Sequence, residues 1–174
     1  MHAEIAYDLA VRVAPPGDRA RFEKLLDRHH RRLRRFAAGI VADRDRLDDV
    51  LQEAYLKAYR KLPSHFANEA HEAAWLYRVV YRCCLDELRR ARRPVAADPG
   101  RPADDVDRRM SLDRALRALR PTDRAVIYLV GVLGLEQEHA AAVLGIPRGT
   151  LSWRLSVARG RFRELLEQEG VEDA

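Results

Sequence analysis

Apolar residues in this 174-residue chain recur every three or four positions and almost never every second one. That period predicts helices and leaves little room for strands. Phe22, Leu25, Leu26, Leu33, Phe36, Ala37 and Ile40 fall on one helical face, with His29 on the same stripe. The opposite face is RHHRRLRR, with five Arg between Arg28 and Arg35. Asp43 and Asp45 mark a break. A second stripe follows at Leu47, Val50, Leu51, Ala54, Tyr55, Ala58 and Leu62. Asp48 and Asp49 are expected in its first turn, where the helix dipole favours negative charge. Pro63 stops it, and the polar loop PSHFANEAHE comes next. A third helix is expected from about Ala73 to Arg90, with Leu76, Val79, Val80, Cys83 and Leu88 inward. Trp75, Arg78, Arg82 and Arg89 share a different face.

The pattern then fails. RRPVAADPGRPADDVDRR carries three Pro, one Gly and four Asp with almost no large apolar residue, so it cannot build a core and reads as a linker. The chain divides into a tail at 1–18, a helical domain at 19–92, the linker at 93–109, a second helical domain at 110–168 and a tail at 169–174. The second domain opens on a helix with Leu112, Ala115, Leu116 and Leu119, ended by Pro121. Thr122 is the expected N-cap of the next helix, which carries Val126, Ile127, Val130 and Leu133. Gly134 closes that helix.

AAVLGIPRGTLSWRL, residues 141–155, then reads as two helices around a tight turn. The first is expected over Glu136–Leu144, and Gly145 supplies a turn with positive φ that a Cβ would penalise. Ala141 lets the second helix approach, while Ile146 and Leu151 fill the wedge between the two. This is the helix-turn-helix pattern, which a plain helical hairpin also imitates. On the second helix, Leu151, Leu155, Ala158 and Phe162 form the core face at 100° per residue. Trp153 lies opposite, with Gly149, Ser156 and Gly160. Arg148, Arg159 and Arg163 flank that outer face on one side, Arg154 and Arg161 on the other. From Arg148 to Arg163 there are five Arg and no acid; from Glu164 onward there are five acids and no base. Basic flanks of this kind can hold phosphates on both sides of a groove and aim the outermost residues at base edges.

Composition sharpens this. Of 32 basic residues only three are Lys (Lys24, Lys57, Lys61), and the net charge is +5. The balance favours a polyanionic partner, though an Arg-rich composition has other causes. Cys83 and Cys84 are adjacent, so they cannot staple the fold, and they read as small apolar residues in a reducing compartment. No second Cys cluster completes a metal site. His29, His30, His65, His71 and His139 are scattered, and no metal-ligand or triad spacing points to an enzyme. No stretch approaches the ~20 apolar residues of a membrane span. The expectation is a cytoplasmic protein with no cofactor, no metal and no membrane insertion.

Three stretches together are similar to the extracytoplasmic-function (ECF) sigma factors, the small members of the sigma-70 superfamily of bacterial RNA polymerase subunits. DRLDDVLQEAYLKAYRKL (Asp45–Leu62) resembles the region 2 signature that docks the polymerase clamp. AAWLYRVVYRCCLDELRRARR (Ala73–Arg93) resembles the neighbouring helix that engages the −10 element. The stretch from Leu116 to Leu166 resembles region 4, which binds the −35 element. The resemblance implies an all-α protein of two small domains joined by a flexible linker, the second a helix-turn-helix. It implies that Asp48, Asp49, Gln52 and Glu53 meet the clamp. His65, Phe66 and Asn68 would capture an opened −10 base by stacking and hydrogen bonds. Trp75, Arg78, Arg82, Arg89 and Arg90 would contact the −10 strand, and Arg148, Thr150, Ser152, Trp153, Arg154, Arg159 and Arg161 the −35 duplex.

The partners implied are core RNA polymerase through its clamp and flap, promoter DNA, and an anti-sigma factor. The linker would thread the polymerase. The sequence departs from the family at two usually basic positions of the recognition helix, and Ser152 and Trp153 precede Arg154 there. For Trp153 three readings stay open: a plain surface position, packing against an inhibitor protein that covers this face, or an apolar contact to a thymine methyl in the major groove. The rival reading is a two-domain helix-turn-helix repressor or activator, which would bind a duplex operator without polymerase.

Overall fold

A computed structural model describes residues 16–41, 43–91 and 107–168. Helices α1 (Pro16–Ile40), α2 (Arg44–Arg60) and α3 (Glu69–Ala91) form the first half. The second half contains α4 (Asp107–Ala118), α5 (Pro121–Ile127), a π turn (Tyr128–Val132), α6 (Gln137–Leu144) and α7 (Arg148–Gln168). Among the described residues there is no strand. Most of the segment expected as a linker lies outside the described residues; α4 begins within it, at Asp107.

The predicted stripes become the core. Phe22, Leu25, Leu33, Phe36, Ala37 and Ile40 of α1 are buried against Leu47, Val50, Leu51 and Ala54 of α2 and Leu76, Val80 and Cys84 of α3. Edge-to-face ring pairs lock the arrangement: Phe22 with Tyr59 at 5.2 Å and Phe36 with Tyr77 at 5.3 Å. Each such pair contributes about 0.5–1.5 kcal/mol beyond its buried area. His29 is buried with the stripe and its Nε2 lies 3.2 Å from Glu72 Oε1 of α3. Cys83 and Cys84 are both buried free thiols, and burial pushes the Cys84 thiol far up.

Several boundaries differ from the sequence reading, each for a local reason. Asp43 caps α2, its carboxylate accepting from the N–H of Asp45 at 3.0 Å, so the helix starts at Arg44 and Asp48 and Asp49 sit in its second turn. α3 starts four residues earlier than expected, because Asn68 Oδ1 accepts from the His71 N–H at 2.9 Å and caps it. α5 begins at Pro121 with Arg120 at the capping position, so Thr122 is inside the helix. Pro needs no donor at that position, and its fixed φ suits a first turn. Leu112 is exposed; α4 packs through Ala115 and Leu116 instead, with Leu119 buried just past its end.

Gly145 has φ 69°. Its N–H donates to Ala142 O at 3.3 Å and the Ile146 N–H to Ala141 O at 3.1 Å, the Schellman pairing that stops α6. A Cβ there meets nothing within 4 Å, so its cost is backbone conformation alone. Gly145→Val is expected to lose about 1–2 kcal/mol and to lower the melting temperature by about 2–8 °C in a thermal scan. An unchanged melting temperature would show that the turn tolerates another conformation.

The two halves do not stand apart. Ala140, Ala141 and Val143 of α6 join the core cluster against α3, and Ala125, Val126 and Leu129 join it against α1. The Tyr128 ring lies directly on Gly39 of α1, where a Cβ would overlap it. Beside it Arg124 is buried, with Nη1 3.5 Å from Gly39 O and Nε lacking a partner among the described residues. Burial, helped by the nearby Arg117 charge, pulls the Arg124 pKa down. His71 and His139 meet edge to face at 5.5 Å across the same seam.

Candidate polymerase and nucleic-acid interfaces

The acidic face of α2 divides in two. Asp48 is ion-paired with Arg34 of α1. Glu53 pairs with Lys57 at 2.8 Å and Arg90 of α3 at 3.3 Å, and these hydrogen bonds hold its carboxyl below the usual range. Those two residues tie helices together. Asp49 is exposed, Gln52 half-buried, and neither has an ion pair or hydrogen bond among the described residues.

The loop before α3 is more structured than a polar stretch would be. Phe66 is half-buried, its ring 5.5 Å from Trp75 and 5.8 Å from the Arg21 guanidinium carbon. Arg21 also donates to the Pro63 carbonyl. Asn68 is committed as the α3 cap. His65 is exposed, near Ser64 Oγ at 3.3 Å, and Asn68 is exposed while serving as the cap. Arg78, Arg82 and Arg89 line up on the outer face of α3, and Arg89 reaches Asp86 at 3.2 Å. They border a cleft of about 350 Å³ whose other wall is Val143, Leu144 and Gly145, the end of α6 and its turn.

On α7, Leu151, Leu155 and Ala158 are buried, and Trp153 is 64% exposed on the opposite side. The two Arg flanks are unlike. Arg148, Arg159 and Arg163 are exposed with no acidic partner among the described residues. Arg161 lies 4.0 Å from the buried Asp123, and Arg154 is half-buried beside Tyr81 of α3 with its Nε unpartnered. Ser152 Oγ donates to Gln137 Oε1 at 2.7 Å and pins α7 to α6. Thr150 is half-buried. The sequence reading missed Gln137, Asp123 and Tyr81 as partners, because each lies on another helix.

Stacked helices with a helix-turn-helix, a basic recognition helix and a second row of Arg define a DNA-reading transcription protein. The comparisons narrow the class. Residues 25–94 match the profile of Sigma-70 region 2 and residues 109–162 that of Sigma-70, region 4. The chain is 37% identical over 168 residues to the ECF RNA polymerase sigma factor SigM of Mycobacterium tuberculosis, covering 91% of this chain and 82% of that one. It is 31% identical over 154 residues to EcfG of Rhodopseudomonas palustris, covering 81% and 82%. The sigma factor RpoE of Bartonella quintana, solved in complex with the anti-sigma factor NepR, superposes with a TM-score of 0.69 at 28% identity over 84% of this chain and 96% of that one. The chain therefore belongs to the ECF branch of the sigma-70 family. It binds core RNA polymerase and promoter DNA and directs transcription initiation.

Proposed function

We propose that the three surfaces divide the work of promoter recognition as follows. Asp49 and Gln52 on α2 dock the polymerase clamp, with Asp48 and Glu53 holding that face in place through Arg34, Lys57 and Arg90. His65 and the α3 row Arg78, Arg82 and Arg89 engage the opened −10 strand, while the Phe66–Trp75 pair shapes the loop. On α7, Arg148 and Arg159 bind −35 phosphates, and Thr150 and Trp153 face the groove. Arg154 and Arg161 join when DNA replaces their present neighbours, and Ser152 sets the angle between α6 and α7. The segment between the halves crosses the polymerase. Catalysis of RNA synthesis stays with the polymerase, and the protein works in the cytoplasm; among the described residues no helix is long and apolar enough to cross a membrane.

The observation that carries this reading is the pairing of one exposed Arg row on α3 with another on α7, both on helices whose opposite faces are core. The cleft between α3 and α6 has an apolar floor and a rim of three Arg with one acid, Asp86, held by Arg89, which suits an acidic amphipathic segment of an anti-sigma factor. The clamp assignment is tested by measuring core polymerase affinity. Asp49→Lys together with Gln52→Ala is expected to weaken core binding at least tenfold while leaving the melting temperature unchanged, because neither side chain is tied into the fold. Core binding equal to that of the parent protein would remove α2 from the interface.

A further inference from the structure

Trp153 is the largest apolar side chain α7 shows to solvent, and it takes no part in the core. It makes no ring pair among the described residues. Gly149 stands one turn before it and Gly160 two turns after, and at both positions the space where a Cβ would lie is empty to 4 Å. Exposed Ser156 lies on the same face, and half-buried Thr150 and Val157 border it three and four residues from Trp153. From Gly149 to Gly160 the indole is the one large side chain on that face. Three exposed Arg, at 148, 159 and 163, run beside it. With glycines at both ends of the face and only short side chains between, the helix can sit close to a groove floor, with the indole as the first group to arrive.

We propose that Trp153 is the specificity-determining residue of this recognition helix, packing its indole on the C5-methyl of a thymine in the −35 major groove. The proposal rests on α7 reading the −35 element. The chemistry selects thymine. An indole offers one N–H donor and no acceptor, so its main contribution is apolar area. The thymine methyl is the one apolar group that a base edge presents in the major groove. The neighbouring serines are too short to compete for that contact, and the flanking Arg bind phosphates without reading sequence.

The test uses holoenzyme assembled from the full chain and core polymerase, on a promoter the parent holoenzyme selects. Each −35 thymine is replaced in turn by deoxyuridine, which removes the methyl and keeps the pairing. At one position the parent protein is expected to lose about three- to tenfold in promoter affinity, the worth of a buried methyl contact. Trp153→Ser is expected to bind the thymine promoter that much more weakly and to show no further loss with deoxyuridine there. Trp153→Phe is expected to keep part of the response. Because Trp153 is outside the core, helix content by circular dichroism should be the same for all three proteins.

The proposal is overturned if Trp153→Ser responds to deoxyuridine as the parent does, or if the parent responds at no thymine. A change confined to binding of a protein partner, with thymine response intact, overturns it equally. Failure of the parent holoenzyme to select any promoter would instead overturn the reading of α7 on which the proposal rests.

Discussion

Gly39→Leu is expected to part the two halves of the molecule without unfolding either one. Gly39 is where α1 accepts the Tyr128 ring, and any side chain there overlaps it. The ring cannot simply turn aside, because Leu129 next to it is buried in the shared core and Arg124 is anchored on the Gly39 carbonyl. The first half loses nothing by the substitution. Glycine is a poor helix former, and a better one at this position stabilises α1 by up to about 1 kcal/mol. The seam also contains two buried Arg Nε atoms, at 124 and 154, without partners among the described residues. Each unsatisfied donor costs on the order of 1–3 kcal/mol, which water would return on opening. Small-angle scattering should therefore show a larger radius of gyration for the variant, with helix content kept. An unchanged radius would mean that Tyr128 finds another seat and that the seam is stronger than its contacts indicate.

The second large effect concerns the free Arg flank of α7. Replacing Arg148, Arg159 and Arg163 together by Ala is expected to flatten the salt dependence of promoter binding by the holoenzyme. If each neutralises one phosphate, the slope of log K against log salt falls by about 2.7, at about 0.9 per phosphate on duplex DNA. Binding at fixed salt weakens by a similar factor on every promoter sequence, because phosphate contacts carry no sequence information. The three side chains are exposed and unpaired among the described residues, so the melting temperature should not move. Arg161→Ala gives the contrast. Its guanidinium sits beside the buried Asp123, so its loss leaves an acid without its partner and lowers stability as well. Filter binding or anisotropy across a salt series measures the slope. A slope unchanged in the triple variant would place the DNA elsewhere on the molecule.

The helices themselves were legible because burial is local in sequence. Phe22 to Ile40, Leu47 to Ala58 and Leu151 to Ala158 repeat at helical spacing, and those faces are the core. Gly145 was legible too, since a Gly between two apolar helical runs has few other uses, and its φ is 69°. Side-chain commitments were not legible. Asp48 and Glu53 look like a free acidic face until Arg34 and Arg90 are placed beside them by helices far away in the chain. Asn68 and Phe66 have the chemistry to bind a base, and equally the chemistry to cap a helix or pack on Trp75; only position decides.

The π turn at Tyr128–Val132 has no periodic signature, since one extra residue per turn changes spacing only once. The contact between the halves was hidden for a related reason. Neither Gly39 nor Tyr128 stands out in the hydrophobic pattern of its helix. Their meeting depends on how two separately patterned units dock.

Promoter-directed transcription with core polymerase is the most direct measurement. Core enzyme with and without this protein is incubated on genomic fragments, and the 5′ ends of the run-off products are mapped. The protein is predicted to yield discrete start sites, each preceded by a shared pair of −10 and −35 sequences, and none with core alone. Soluble protein with active core and no added start site on any fragment would contradict it, as would tight binding of a duplex operator without polymerase.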